Sequence, residues 1–195
     1  DFKHAITKYR ALNIPYRAEM LPIYSWYDDE GMQDNYRSYV QEFCEVFKPE
    51  VLLYDHYPFV DNAMPRMDIY FWNLSVVREY AEKNNIPFGV AIQAGGQWND
   101  EKAHVASIPY YPNEGQFTWN VNTNLAFGAK TIIYFPLVQP YHYAWAEDDE
   151  LDFDRNGLIG GDGRKTQWYY YAQKINKQIA AIDEVLMNSV SEGVI

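Results

Sequence analysis

The sequence predicts an α/β fold in which parallel βα units form a partial (β/α)8 TIM barrel, corresponding to about strands five to eight. Four apolar runs alternate with helical patterns, and the runs start 36, 36 and 43 residues apart, which is the spacing of βα units. A complete barrel has eight such units in about 250 residues, so these 195 residues correspond to half of one. The chain opens and closes on a helical pattern, as the second half of a barrel does. A self-contained, four-stranded doubly wound domain is the alternative.

The predicted strands are short runs of β-branched, aromatic and other apolar residues, most of them bounded by Gly, Pro or Asn. They cover residues 15–24, 51–59, 87–94 and 130–137. The predicted helices repeat apolar residues on one face and cover residues 1–12, 34–47, 69–83, 117–127 and 166–187. Pro49 ends the second helix and Gly128 is the expected C-cap of the fourth. We expect residues 1–188 to form the half-barrel and residues 189–195 to begin a following element that is cut off.

Composition and charge narrow the possible functions. The formal net charge of −11 argues against nucleic acid and anionic membranes as partners, because both require a basic surface. The single cysteine, Cys44, excludes an internal disulfide and a cysteine-based zinc site, and we expect neither metal nor cofactor. Aromatic residues make up 17% of the chain, which suits either a surface that binds sugar rings or a tyrosine-rich core.

Polar and aromatic residues follow each predicted strand, where parallel α/β folds place their functional sites. This composition favours hydroxyl recognition and ring stacking, and the sequence contains no glycine-rich phosphate loop. The candidate catalytic residues are Asp55 and Glu19. The candidate substrate-binding residues are His56, Tyr57, Gln93, Gln97, Trp98, Tyr134 and Tyr141.

Each of the main candidates also has a structural interpretation. Asp55 follows an apolar run and suits a general base or a hydroxyl ligand, but it also suits the cap of a turn. His56 can equally be a hydrogen-bonded packing residue, and Gln93 can bond its own loop. Glu19 lies within an apolar run, where a carboxylate either lines a cavity or pairs with Arg17.

Several segments resemble a group of bacterial TIM-barrel glycoside hydrolases, the β-galactosidase-like proteins. Residues 48–59 (KPEVLLYDHYPF) are similar to their K-P-D-V-L-S-Y-D-H-Y-P-F strand. Residues 20–24 (MLPIY), 87–93 (PFGVAIQ) and 125–135 (LAFGAKTIIYF) resemble three further strands of the family. The resemblance covers nearly the whole chain and implies hydrolysis of oligo- or polysaccharides by general acid/base catalysis. It also implies a secreted or periplasmic protein of a bacterial polysaccharide degrader.

Two departures from this family qualify the expectation. In the related retaining enzymes the acid/base Glu ends strand four, which has no counterpart here. Their nucleophile Glu ends strand seven, where this chain has Gln93. We therefore expect this segment to supply the substrate-binding wall, a further carboxyl to come from elsewhere, and the isolated segment to be nearly inactive. The expected partners are a carbohydrate and either the remaining half of the barrel or a self-associated copy. A non-catalytic carbohydrate-binding α/β domain is the alternative function.

Overall fold

The computed structural model of the chain describes residues 2–14, 17–23, 30–59, 67–96, 110–138 and 157–193. Strands and helices alternate through these residues, as the sequence predicts. The helices are α1 (Phe2–Ala11), α2 (Met32–Phe47), α3 (Met67–Asn84), α4 (Glu114–Ala126), α5 (Gln167–Ala180) and α6 (Asp183–Asn188). The strands are β1 (Glu19–Met20), β2 (Leu52–Asp55), β3 (Phe88–Gln93) and β4 (Thr131–Phe135). Among the described residues, no helix combines the length and apolar character that crossing a membrane requires.

The four strands form one parallel sheet in the order β1-β2-β3-β4. About 98% of parallel βαβ crossovers are right-handed, and with that hand this order places every connecting helix on the same side of the sheet. A doubly wound sheet instead reverses its strand order at a switch point. The doubly wound alternative is therefore wrong for the described sheet.

One face of the sheet packs against the helices and carries the core. Side chains alternate between the two faces along each strand, and paired residues of parallel strands share a face. The helix-covered face consists of buried side chains on β1–β3 and half-buried ones on β4: Met20, Leu52, Tyr54, Phe88, Val90, Ile92, Ile132 and Tyr134.

The opposite face, here called the open face, leaves large apolar side chains exposed at both edges of the sheet. Its strand residues are Glu19, Leu53, Asp55, Gly89, Ala91, Gln93, Thr131, Ile133 and Phe135. Ile133 is 36% exposed and Phe135 is 43% exposed, and next to β1 Leu21 is 55% exposed. In a closed barrel this face would be the interior.

The open face is closely packed over Gly89. Gly89 lies in the middle strand, and a Cβ added to it would be 2.6 Å from Cβ of Thr131 and 2.8 Å from Cδ2 of Leu53. Side chains of the two neighbouring strands thus close over Gly89. Only a residue without a side chain leaves room for this approach.

Two predicted elements differ from the structure. The first predicted strand, residues 15–24, is reduced to Glu19–Met20, and parts of that run lie outside the described residues. The Leu21 N–H donates to the Tyr39 hydroxyl (2.9 Å) and Pro22 has no N–H to give, so pairing with β2 ends there. The last predicted helix, residues 166–187, is divided into α5 and α6 by a tight turn at Ala181 and Ile182.

Hydrogen bonds join the end of α6 and the residues after it to the end of the sheet at which the strands begin. The Lys130 ammonium donates to the carbonyl oxygens of Leu186 and Ser189, the latter at 2.7 Å. The Arg78 guanidinium donates to the Ser191 carbonyl, and the Ser191 hydroxyl donates to the Ala126 carbonyl at 2.8 Å. These bonds connect the end of the chain to α3, α4 and β4.

Gly89→Ala tests the close packing over β3. We expect it to reduce the free energy of unfolding by about 1–3 kcal/mol, because the new methyl group must displace Thr131 or Leu53. Urea denaturation of both proteins measures the difference. Gly193→Ala is the control, because nothing lies within 4 Å of its added Cβ. Equal stability of Gly89→Ala and wild type would contradict the close packing over β3.

Candidate functional site

Two carboxylates share the open face at neighbouring strands. Glu19 pairs with Leu53 in the sheet, and Asp55 follows Leu53 by two residues, so both acids point to the same side. Asp55 is half-buried at the end of β2, whereas Glu19 is only partly shielded from solvent and lies level with Leu53, two residues before Asp55. This juxtaposition agrees with the expectation that both strands contribute acids to one end of the sheet.

The surroundings of Glu19 favour its protonated form. Partial burial of the carboxyl and, second, the charge of Asp55 raise the pKa of Glu19 above its usual 4.5. The folded chain thus binds this proton more tightly than the unfolded chain does. The contribution of Glu19 to stability is therefore greatest at low pH and is lost as the pH rises through the raised pKa. Arg17, the alternative partner of Glu19, is not a cause of this shift.

The Asp55 charge also acts on three tyrosines. It adds to the burial that raises the pKa values of Tyr36, Tyr39 and Tyr54. Higher pKa values keep these phenols neutral, so their hydroxyl groups remain hydrogen-bond donors. Glu19 and these three tyrosines thus all have pKa values that the Asp55 charge helps to raise.

A stacked aromatic pair lies on the same face of the sheet as the acids. The rings of Tyr57 and Phe135 are 6.0 Å apart between centroids and 12° from parallel. Phe135 belongs to the open face and is exposed, and Tyr57 is half-buried. The pair spans from the end of β2 to the end of β4 and presents an aromatic surface at the end of the sheet where the strands terminate.

Tyr134, which the sequence suggests as a substrate ligand, lies on the other face. Its hydroxyl donates to Oδ1 of Asn176 in α5 (2.6 Å), and its ring stacks on Phe117 of α4. Tyr134 therefore lies on the helix-covered face, whereas its neighbour Phe135 lies on the open face. The only signal available was the alternation along β4, and its phase relative to Asp55 depends on the register of the sheet.

His56 is buried on the helix-covered side of the sheet. It is a hydrogen-bonded packing residue, which is the structural interpretation given for it above. Its Nδ1 donates to Oδ1 of Asn73 in α3 at 3.0 Å, because the amide nitrogen of Asn73 is the donor to Tyr36. Burial lowers the pKa of His56 to about 4, so the imidazole is neutral at neutral pH. Its contribution to stability is complete above pH 6.5 and is lost as the pH falls toward 4.

The side chain of Gln93 forms hydrogen bonds with the segment that follows β2 and with its own loop. Loop hydrogen bonding was the structural alternative to substrate binding for this residue. Its side-chain oxygen accepts from the Phe59 N–H at 3.1 Å, and its nitrogen donates to the carbonyl oxygens of Phe59 and Gly95 at 2.6 and 3.2 Å. The residue is 1% exposed. Gln93 therefore fixes the loop that carries Tyr57.

The remaining sequence-based candidates are not located by the structure. Gln97, Trp98 and Tyr141 lie outside the described residues. Within the described parts of the chain, no group of three His, Cys, Asp or Glu side chains is arranged to hold a metal ion. Cys44 is buried on α2, and burial raises the pKa of its thiol to about 11, so it is not an activated nucleophile.

Buried asparagines form a layer that the sequence reasoning missed. Asn73, Asn120 and Asn124 are each at most 1% exposed, and they lie between the sheet and helices α3 and α4. Asn73 and Asn124 bond to tyrosines and to His56, whereas the side chain of Asn120 has no hydrogen-bond partner among the described residues. The detectable signal was an asparagine pair, Asn120 and Asn124, at the apolar positions of a helical repeat.

No model of a protein family matches the sequence, and no curated protein matches it either. The resemblance to glycoside hydrolases therefore rests on the sequence segments quoted above.

Asp55→Asn tests the coupling between the two acids. We expect the pKa of Glu19 to fall, because the substitution removes a negative charge, but to stay above 4.5, because burial is the larger cause of its shift. Titration of the Glu19 side-chain carboxyl by carbon-13 NMR measures the change. Asp34→Asn, on the exposed first turn of α2, should leave the Glu19 pKa unchanged. An unaltered Glu19 titration in Asp55→Asn would mean that the acids do not interact.

Proposed function

We propose that the chain is part of a glycoside hydrolase that acts on oligo- or polysaccharides, with the open face as one wall of its active site. The observation that carries the proposal is the placement of Glu19 and Asp55 on the same face of the sheet as the stacked rings of Tyr57 and Phe135. Most glycoside hydrolases cleave the glycosidic bond with two carboxyl groups that lie in different environments. Flat aromatic rings complement the C–H faces of sugar rings.

The environments of the two acids suggest different roles. The raised pKa of Glu19 makes it the chain's own candidate for the general acid, which gives its proton to the leaving oxygen as the glycosidic bond breaks. Asp55, at the strand end, is the candidate general base, which takes a proton from the attacking water. The family resemblance places a further acid on strands outside this sheet, so the wall described here is one contribution to the site.

We also propose that the sheet belongs to a (β/α)8 barrel, as strands five to eight. The sequential parallel order and the helices on one face of the sheet support this architecture. The remaining half of the barrel, or a second copy of the chain, would pair with the edges at β1 and β4 and cover the exposed apolar residues.

Hydrolysis by the longest natural chain that contains these residues tests the activity. In Asp55→Asn we expect kcat on aryl glycosides or oligosaccharides to fall by about 10²- to 10⁴-fold, because the substitution removes the general base. Binding should be retained, because asparagine has the same size and shape as aspartate. Glu19→Gln should act in the same direction, whereas Asp34→Asn should be neutral. The isolated 195 residues should show little or no turnover. Full activity of both Asp55→Asn and Glu19→Gln would remove these residues from the mechanism.

A carbohydrate-binding domain without catalysis is the second candidate. The observation that favours it is Gln93, which stands where the related enzymes carry their nucleophile and whose amide is used to bond Phe59. Oligosaccharide binding without hydrolysis in the longest natural chain would establish this function instead.

The uncovered face predicts self-association of the isolated segment. Light scattering over a range of concentrations should show dimers or larger species, because the exposed apolar residues and two open strand edges need partners. Phe135→Asp places a charge on the open face and should shift the distribution toward monomer. Asp substitution of Tyr170, which is 55% exposed on α5, is the control and should not. A monodisperse monomer at all concentrations would contradict the half-barrel.

A further inference from the structure

We propose that Asn73 and Asn124 are positioning residues, which hold Asp55 toward the open face by anchoring the two residues that flank it in the chain. Neither asparagine reaches the open face itself. The role in catalysis rests on the function proposed above, while the anchoring is a property of the fold that is measurable without any substrate.

The first anchor is Asn124, which holds Tyr54, the residue before Asp55. The hydroxyl of Tyr54 passes to the helix-covered face and donates to Oδ1 of Asn124 in α4 at 2.7 Å. The nitrogen of Asn124 donates in turn to the Tyr70 hydroxyl of α3 and to the Asn120 carbonyl, both at 2.8 Å. All the bonding capacity of this amide nitrogen is thus used, which fixes the amide and, through it, the tyrosine of the strand.

The second anchor is Asn73, which holds His56, the residue after Asp55. His56 donates from Nδ1 to Oδ1 of Asn73 at 3.0 Å, and the nitrogen of Asn73 donates to the Tyr36 hydroxyl of α2 at 2.9 Å. The His56 ring also packs against the edge of Tyr70, with 5.0 Å between centroids. Tyr70 therefore contacts both anchors, and helices α2, α3 and α4 together hold the chain on either side of the acid.

The position of Asp55 in the sheet explains why it requires anchors. The pairing of β2 with β3 ends at Asp55, opposite Ala91, and the residues that follow belong to no strand. A residue at the end of a ladder has backbone bonds on one side only, so its orientation is less restricted than in mid-strand. With Tyr54 and His56 fixed on the helix-covered face, the alternation of the chain directs Asp55 to the opposite side, toward Glu19.

Packing alone does not account for asparagine at these two positions. A buried amide is costly to desolvate, and an apolar residue of the same size would fill the same space. The amides are accommodated because each joins a strand residue to a helix in a satisfied network. Asn120 is equally buried, and its side chain has no hydrogen-bond partner in the described parts of the chain, so it serves as an internal comparison for Asn73 and Asn124.

The test measures the Glu19 titration in Asn73→Leu and Asn124→Leu by carbon-13 NMR. If the anchors hold Asp55 beside Glu19, the Glu19 pKa falls in both variants toward its value in Asp55→Asn. Adding Asn73→Leu to Asp55→Asn then causes no further fall, because the charge that the anchor positions is already absent. Asn120→Leu, the matched control, leaves the Glu19 titration unchanged.

The outcomes separate anchoring from a general contribution to stability. An unchanged Glu19 titration in folded Asn73→Leu and Asn124→Leu overturns the proposal, and so does an equal shift in Asn120→Leu. Should either variant fail to fold, Tyr36→Phe and Tyr54→Phe remove one hydroxyl each from the same anchors and are measured in the same way. A failure to detect hydrolysis leaves this readout intact, so the two proposals can fail independently.

Discussion

The alternation of side chains along β2 is the constraint on which the rest of the site depends. Four consecutive residues point to opposite faces in turn: Tyr54 and His56 to the helices, Asp55 and Tyr57 to the open face. The strand therefore separates an interior hydrogen-bonded network from a surface that carries charge and an aromatic stack. Any shift of β2 by one residue would exchange these two sets and bury the carboxylate of Asp55.

The two faces differ in how their polar groups are stabilised. On the helix-covered face, tyrosine hydroxyls and asparagine amides satisfy one another, so few buried polar atoms are left without partners in the described interior. On the open face, Glu19 and Asp55 carry like charges at close range, and nothing of opposite sign contributes to the shift of the Glu19 pKa. The network thus satisfies the buried polar groups of one face, while on the other face the charge of Asp55 raises the pKa of Glu19.

The sequence located most elements of the fold within a few residues. Apolar periodicity and terminal Pro or Gly residues are local signals, and they placed β2, β3, β4 and the first four helices correctly. They failed at β1, where Tyr39 of a different element takes the Leu21 amide, and at the break between α5 and α6, where the turn has neither Gly nor Pro. In both places a contact between distant residues or the backbone geometry decided the outcome.

By itself, the sequence determined that acids and aromatic residues would meet at one end of a parallel sheet, because parallel strands all end on the same side. Only the tertiary structure decided which of them face the same way. Phe135 rather than Tyr134 faces the same side as Asp55, and His56 turns inward to Asn73, because side chains alternate with a period of two. The phase of that alternation between strands is set by their register, and the register depends on packing against helices far away in the chain.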